Sequence, residues 1–198
     1  RNSMNGQQLR AAIFDVGGVL FDDSIAPKMA ELARKYSLDT AELDRARRAH
    51  RPKADLGEIS EGEFWELVLA DSGVRPSEDD CDVSAYLRPR PESLGLVREC
   101  RRGGLKTAIL SNDSRELARL RQEACGAREL FDVIVVSADH GIAKPDRRIF
   151  DLVLNALAFA PEVCLFIDDT PRNIEAARRY GLQAHLFTTV DSLRLVIP

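Results

Sequence analysis

The sequence predicts an α/β protein: an open, doubly wound parallel sheet with a small helical cap inserted after the first strand. Three observations predict it. Five short apolar runs lack the alternation of a half-exposed ribbon, so each is expected to be buried on both faces, as parallel strands are. Helical patterns separate the last four runs, giving the strand, helix, strand repetition of a doubly wound sheet. A stretch with helical patterns of its own separates the first run from the second, and it is too long to be a loop of a compact domain.

In chain order, Ala11 to Phe14 is the first strand. Residues 22–88 form the cap, with helices expected over Pro27 to Tyr36, Thr40 to His50 and Glu61 to Asp71. Phe64-Trp65 with Leu67 and Val68 reads as the core of that cap. Pro27 and the run Arg88-Pro89-Arg90-Pro91 read either as stiff margins of the insertion or as loop punctuation, because proline fixes φ and disfavours helix in the residue before it. Leu94 to Arg101 is the next helix, with Gly103 where it should stop. There follow the strand Lys106 to Leu110, the helix Ser114 to Glu123 and the strand Val133 to Val136. The helix Ile149 to Ala158, the strand Val163 to Ile167, the helix Arg172 to Tyr180 stopped by Gly181, and the strand Ala184 to Phe187 complete the pattern. The core is therefore expected over 9–21 and 89–198.

A chain of 198 residues holds one domain, or a domain with an insertion, and can bury a substantial core. Lysine and arginine number 28 against 32 aspartate and glutamate, a net charge of -4, so no broad basic field marks nucleic acid as a partner. Cys81, Cys100, Cys125 and Cys164 lie far apart with no Cys-x-x-Cys pair and no secretory apolar segment before them, which reads as reduced thiols and a cytoplasmic location. No apolar run reaches the ~18 residues of a membrane span, so no membrane partner is expected. Arg1-Asn2-Ser3 ahead of Met4 reads as an expression scar and takes no part in the fold argument. Oligomeric state is not readable.

Ligands of open α/β sheets bind beyond the carboxyl ends of the strands. That edge should gather Asp15, Ser111, Asp168 and Asp169, each at or just past a strand end. One such carboxylate is as well explained as a helix cap or turn former. Carboxylates at two ends, beside a hydroxyl at a third, repel one another unless an oxygen-seeking cation holds them, and Mg²⁺ fits best. Gly17-Gly18 lets the backbone approach a phosphate closely, though no dinucleotide fingerprint is present. Lys144 lies in the loop Gly141-Ile142-Ala143-Lys144-Pro145-Asp146, where a solvated surface lysine is the plain alternative to a role. His50, near the end of a basic stretch with Arg45, Arg47, Arg48 and Arg51, reads as an exposed helix face or as a contact for an anionic substrate. Asp22 and Asp23 read as a turn leaving the core.

Asp15-Val16-Gly17-Gly18-Val19, Leu110-Ser111-Asn112-Asp113, Lys144-Pro145-Asp146 and Phe166-Ile167-Asp168-Asp169 together, in this order and spacing, resemble the motifs of the haloacid dehalogenase superfamily, over roughly residues 9 to 190. Among its members the chain looks like the Mg-dependent phosphatases with a helical cap. The resemblance implies that Asp15 is the nucleophile, forming an aspartyl phosphate, and also a Mg²⁺ ligand beside the Gly17 backbone carbonyl, Asp169 and the auxiliary Asp168. It implies that Asn173 supports those ligands, and that Ser111, Asn112, Lys144 and Gly18 bind the phosphoryl group of a small phosphorylated metabolite. The chain departs from the pattern at Gly17, where the family usually has a second aspartate as general acid and base. Such assistance is typically worth about 10²–10⁴-fold, so good leaving groups should suffer less than alkyl phosphates from its loss.

Three readings follow: a Mg-dependent phosphatase with an altered first motif, a dehalogenase, which needs no proton on the leaving halide, or a weakly active or inactive member that binds phosphorylated ligands. The Asp168-Asp169 pair favours the first, and metal dependence and turnover separate the three. Restoring aspartate at position 17 should speed alkyl phosphate hydrolysis, and an equal or lower rate would mean that another residue already does that work.

Overall fold

Five parallel strands run through the middle of the computed structural model, which describes residues 8–197. Arg1-Asn2-Ser3 and Met4 lie outside the described residues, as does Pro198. β1 (Ala11–Phe14) is central, flanked by β2 (Lys106–Ser111) and β4 (Cys164–Asp168), with β3 (Val133–Val136) beyond β2 and β5 (Gln183–Leu186) beyond β4. Every neighbouring pair is parallel, and the order is β3-β2-β1-β4-β5. The expected doubly wound α/β fold therefore forms, and its winding reverses between β1 and β4. That reversal is where connections diverge to opposite faces and leave a crevice at the carboxyl ends of the strands.

Both faces of the sheet are buried, which explains why its strands read as unbroken apolar runs. Ala12, Phe14, Leu165 and Ile167 point to one face. There they meet Leu94, Leu96 and Val97 of α5 (Pro91–Arg102) and Leu193 of α11 (Val190–Arg194). Ala11, Ile13 and Phe166 point to the other, under α9 (Arg147–Leu157) and α10 (Pro171–Arg179). Phe150 of α9 meets Phe166 edge-on at 5.2 Å between ring centroids. Burying a phenylalanine there is worth about 1.5–3 kcal/mol before packing is counted. Helix α6 (Arg115–Cys125), with its one-turn continuation α7 (Ala127–Leu130), joins β2 to β3, and the short α8 (Ser137–His140) follows β3.

Between β1 and β2 the chain builds α1 (Ile25–Tyr36), α2 (Thr40–Asp55), α3 (Glu61–Ala70) and the short α4 (Glu78–Cys81). Their core is separate from the sheet and holds Leu32, Leu43, Phe64, Trp65, Val68 and Leu69. The two segments that join this helical insertion to the sheet lie side by side. Asp22 N–H donates to the Arg88 carbonyl at 2.9 Å, Arg90 N–H to the Leu20 carbonyl at 2.8 Å, and Asp22 pairs with Arg90 at 2.6 Å. Asp23 caps the start of α1 by accepting from the Ile25 and Ala26 amides, as a turn leaving the core would.

Several boundaries differ from the sequence reading. Pro91 opens α5 at a first-turn position, where a missing N–H costs no helical bond, and so begins a helix instead of punctuating a loop. Pro27 likewise sits in the first turn of α1. Helix α2 does not stop at His50 but continues through Pro52 to Asp55. Proline forfeits one backbone bond there, and the ion pair of Arg51 with Asp55 at 2.6 Å spans the defect. The fourth strand begins one residue late, because Pro161 winds Val163 into a short 3₁₀ turn, and the fifth begins one residue early, at Gln183. All four cysteines are free, and no helix among the described residues is long and apolar enough to cross a membrane.

Candidate active site

Asp15 follows β1 directly, and its N–H extends the ladder by donating to the Ile167 carbonyl at 2.9 Å. Asp168 is the last residue of β4. Adjacent parallel strands thus bring the two carboxylates to the crevice from residues far apart in sequence. Lys144 arrives from the loop before α9 and lies between them, with Nζ 2.7 Å from Asp15 Oδ1 and 2.8 Å from Asp168 Oδ2. Only 1% of the Lys144 side chain is exposed, so the surface-lysine alternative is wrong. Asn112 sets its position: the side-chain amide donates to the Lys144 carbonyl at 3.0 Å and its oxygen accepts the Lys144 N–H at 2.8 Å. The Asn112 side chain, expected to bind substrate, is thereby engaged in holding the lysine loop.

Asp168 is fully buried and accepts from Lys144, from the Thr170 N–H at 2.8 Å and from Asn173 Nδ2 at 3.0 and 3.2 Å. Asn173 thus braces this carboxylate from the first turn of α10. Asp169 is exposed and lies against Gly18, whose φ of +74° and lack of a side chain are both required, because a β-carbon there would collide with the Asp169 carboxylate. Ser111 ends β2 and is buried, lining a small space behind the site with Leu20, Phe21 and Ile109. Gly17 and Gly18 line a cleft of about 280 Å³ with Asn112, Asp113, Asp169 and residues of the insertion.

Three carboxylate oxygens, one each from Asp15, Asp168 and Asp169, lie within 4.8 Å of one another. Among the described residues Lys144 is the one cation bonded into this group, which leaves it negative. Burial pushes the Asp15 carboxyl up to about 7, against the pull of Lys144, and Asp168 adds repulsion. Partial loss of hydration beside its neighbours also raises Asp169, although its outer side is exposed, and Asp168 again repels it. Lys144, which burial alone would lower, is held above the ordinary lysine range by its two carboxylates. A cluster of hard oxygen donors crowded until its acids resist ionisation fits a small divalent cation such as Mg²⁺ and lacks the nitrogen or sulfur ligands that zinc prefers.

Four groups on the cleft wall had no role assigned from the sequence, two of them, Asp55 and Arg121, not being singled out at all. Arg51 and Asp55 come from the last turn of α2, beyond His50, and Asp113 and Arg121 from the β2–α6 connection and α6. Arg51 pairs with Asp55 and, at 2.9 Å, with Glu61, whose Oε2 also accepts from Ser114 Oγ at 2.8 Å. Arg121 pairs with Asp113 at 2.6 Å, both almost fully buried. One signal for Arg121 was available: it falls on the apolar face of α6, in register with Leu117, Ala118 and Cys125. His50 is tied to Asp71 at 2.8 Å within the insertion, and it is absent from the cleft wall.

Comparison with known proteins places these features in context. A family model for haloacid dehalogenase-like hydrolases matches residues 9–181. Phosphatase MT3486 of Mycobacterium tuberculosis is 35% identical over 90% of this chain and 87% of its own. Bifunctional epoxide hydrolase 2 of Sus scrofa is 27% identical over 93% of this chain, which spans only 37% of that relative's length. Among solved structures, a HAD family enzyme of Bacteroides thetaiotaomicron in a magnesium complex superposes with a TM-score of 0.73 at 18% identity, over 90% of this chain and 93% of that one. The L-2-haloacid dehalogenase of Xanthobacter autotrophicus, with chloropropionic acid covalently bound, gives 0.68 at 21%, over 89% and 76%. Both likenesses show the shared fold.

Proposed function

The chain belongs to the haloacid dehalogenase-like hydrolase family, and we propose that within it this hydrolase is a Mg-dependent phosphatase of small phosphorylated metabolites, with Asp15 as the nucleophile. The observation that carries this reading is the close group of Asp15, Asp168 and Asp169 with Lys144 bonded into it. The phosphatase name of the Mycobacterium relative and the magnesium bound by the Bacteroides neighbour support it further.

Asp15, the Gly17 carbonyl, Asp168 and Asp169 would hold the ion. When bound, Mg²⁺ would offset the charge of the cluster and of the phosphoryl oxygens. The remaining work falls to the chain. A carboxylate oxygen of Asp15 attacks phosphorus in line as the bond to the leaving oxygen breaks, giving an aspartyl phosphate that water then hydrolyses. Lys144 keeps Asp15 oriented and presents positive charge to the equatorial oxygens, with Ser111 and the Gly18 backbone as further contacts. Asn112 acts by fixing Lys144, and Asn173 by fixing Asp168. Gly17 supplies neither acid nor base.

Dehalogenation is the second reading, favoured by Gly17 alone, because a halide leaves without a proton. Phosphate release from monoesters and chloride release from 2-chloropropionate, each with Mg²⁺ and with chelator, test the two. Mg-dependent phosphate release is expected. Chloride release indifferent to chelator, with no phosphate release, would overturn the proposal.

A further inference from the structure

The space beside Gly17 is taken by a cation. A β-carbon built on Gly17 would lie 3.6 Å from Nη1 and 3.7 Å from Nη2 of Arg121. Apart from the residues flanking Gly17, no other heavy atom among the described residues comes within 4 Å of that point. The ζ carbon is therefore farther away than both nitrogens, so the forked end of the guanidinium, not its flat face, is turned to the position of the absent side chain.

The fork is held firmly. Arg121 is 6% exposed and rests over the Phe21 ring at 5.9 Å. Nη1 donates to Asp113 Oδ1 at 2.6 Å and Nη2 to Ser24 Oγ at 3.2 Å. A guanidinium carries five N–H donors in a rigid plane, and those two bonds engage two of them. Nε is buried without a partner, and so is Oδ2 of Asp113, so the pair is not a saturated structural clasp. Arg121 also lines the cleft together with Gly17, Gly18 and Asp169.

We propose that Arg121 takes the place of the missing acid by stabilising negative charge on the leaving-group oxygen as its bond to phosphorus breaks. This rests on the phosphatase reading and adds a residue to it. Asp15 forms the new bond to phosphorus, and the leaving oxygen departs with the electron pair of the broken bond. Arg121 supplies charge and donors but no proton, since a guanidinium does not give one up in the working range of an enzyme. Water protonates the departing alkoxide, and the hydroxide so formed attacks the aspartyl phosphate, releasing phosphate and regenerating Asp15. Preorganised donors aimed at developing charge need no reorganisation in the transition state, which is what makes them effective.

The test is the hydrolysis of phosphate monoesters graded by leaving-group acidity, in Mg²⁺, by the intact chain and by Arg121→Gln and Arg121→Lys, with melting temperatures alongside. Arg121→Gln should lose about 10²-fold on alkyl phosphates and less than about tenfold on nitrophenyl phosphate, the scale of losing one aimed donor where charge is greatest. The dependence of rate on leaving-group acidity should thus steepen, with Arg121→Lys intermediate, and added guanidinium ion should restore part of the alkyl rate in Arg121→Ala. A loss equal for all esters, with the unaltered dependence on acidity and no rescue, would assign Arg121 a structural role and overturn the proposal. Gly17→Asp tests the same point should the Arg121 variants fail to fold. Its carboxylate meets the fork and neutralises it, so alkyl phosphate turnover should stay equal or fall, and a faster variant would contradict the role given to Arg121. If the unaltered chain releases no phosphate from any ester, it is the phosphatase reading that fails.

Discussion

Lys144 bears the charge balance of the candidate site, with one ammonium serving two carboxylates at 2.7 and 2.8 Å. Lys144→Met should reduce turnover by about 10²–10³-fold, the scale of losing a preorganised donor. It should also lower the melting temperature in chelator and make Mg²⁺ more stabilising than in the unaltered chain, which thermal melts with and without the metal would check. The Asp15 carboxyl, pushed by burial up to about 7, predicts a pH dependence of its own. Below that value the group keeps its proton and must lose it to bind an ion, so Mg²⁺ affinity should rise between about pH 6 and 8 with proton release. Calorimetry in buffers of different ionisation enthalpy would detect it, and a flat profile would contradict it. Asp15, Asp168 and Asp169 were legible in the sequence because each belongs to a short local pattern at a strand end, and Asn173 through the family resemblance. Arg121 was not, and Asp113 was seen only as part of a motif, because what matters about the pair is the space beside Gly17, which only the packing of α6 against the sheet defines. For the same reason the rate gain expected from Gly17→Asp is revised: that side chain would meet a guanidinium.

Helix α2 shows how an element can extend past its apparent end. Pro52 argues for a stop at His50, yet the last turn forms because Arg51 pairs across it with Asp55 and reaches Glu61 of α3. Propensity was readable and the tertiary ion pairs were not, so the segment that reaches the cleft escaped notice. Glu61 is 3% exposed and receives bonds from Arg51, Trp65 and Ser114. Arg51→Met should therefore cost about 3–5 kcal/mol in urea unfolding, since it leaves a buried carboxylate without its cation; a loss below about 1 kcal/mol would show the pair to be dispensable. Asp80 of α4 makes a second element-scale case. Burial works to raise its carboxyl, but bonds from Lys35, Tyr36 and Ser77 hold it well below the usual carboxylate range. A depressed folded value means that its stabilisation is complete above the ordinary aspartate value of about 4 and is lost as pH falls below it. The gap in melting temperature between the unaltered chain and Asp80→Asn should accordingly be steady above about pH 5 and narrow progressively as the pH falls below about 4.

At the scale of the molecule, the sheet order places the winding reversal between β1 and β4, and the candidate nucleophile and metal ligands leave from those two strands. The alternation of apolar strands and helices made that topology readable, while the one-residue shift of β4 depended on a turn at Pro161 that periodicity does not register. The helical insertion brings Arg51 and Asp55 to the cleft, the end of β1 brings Gly17 and α6 brings Arg121. The whole arrangement is a hydrolase fold in which, on the proposed phosphatase reading, Asp15 forms a covalent intermediate and Gly17 gives its hydrolysis no general base. The intermediate should therefore accumulate. The measurement that tests this most directly is the intact mass of the chain, acid-quenched during turnover of an aryl phosphate with Mg²⁺. The chain should become one phosphoryl group heavier, with the group on the peptide containing Asp15 and absent from Asp15→Asn. Turnover with no phosphorylated chain at any time, or equal turnover by Asp15→Asn, would contradict it.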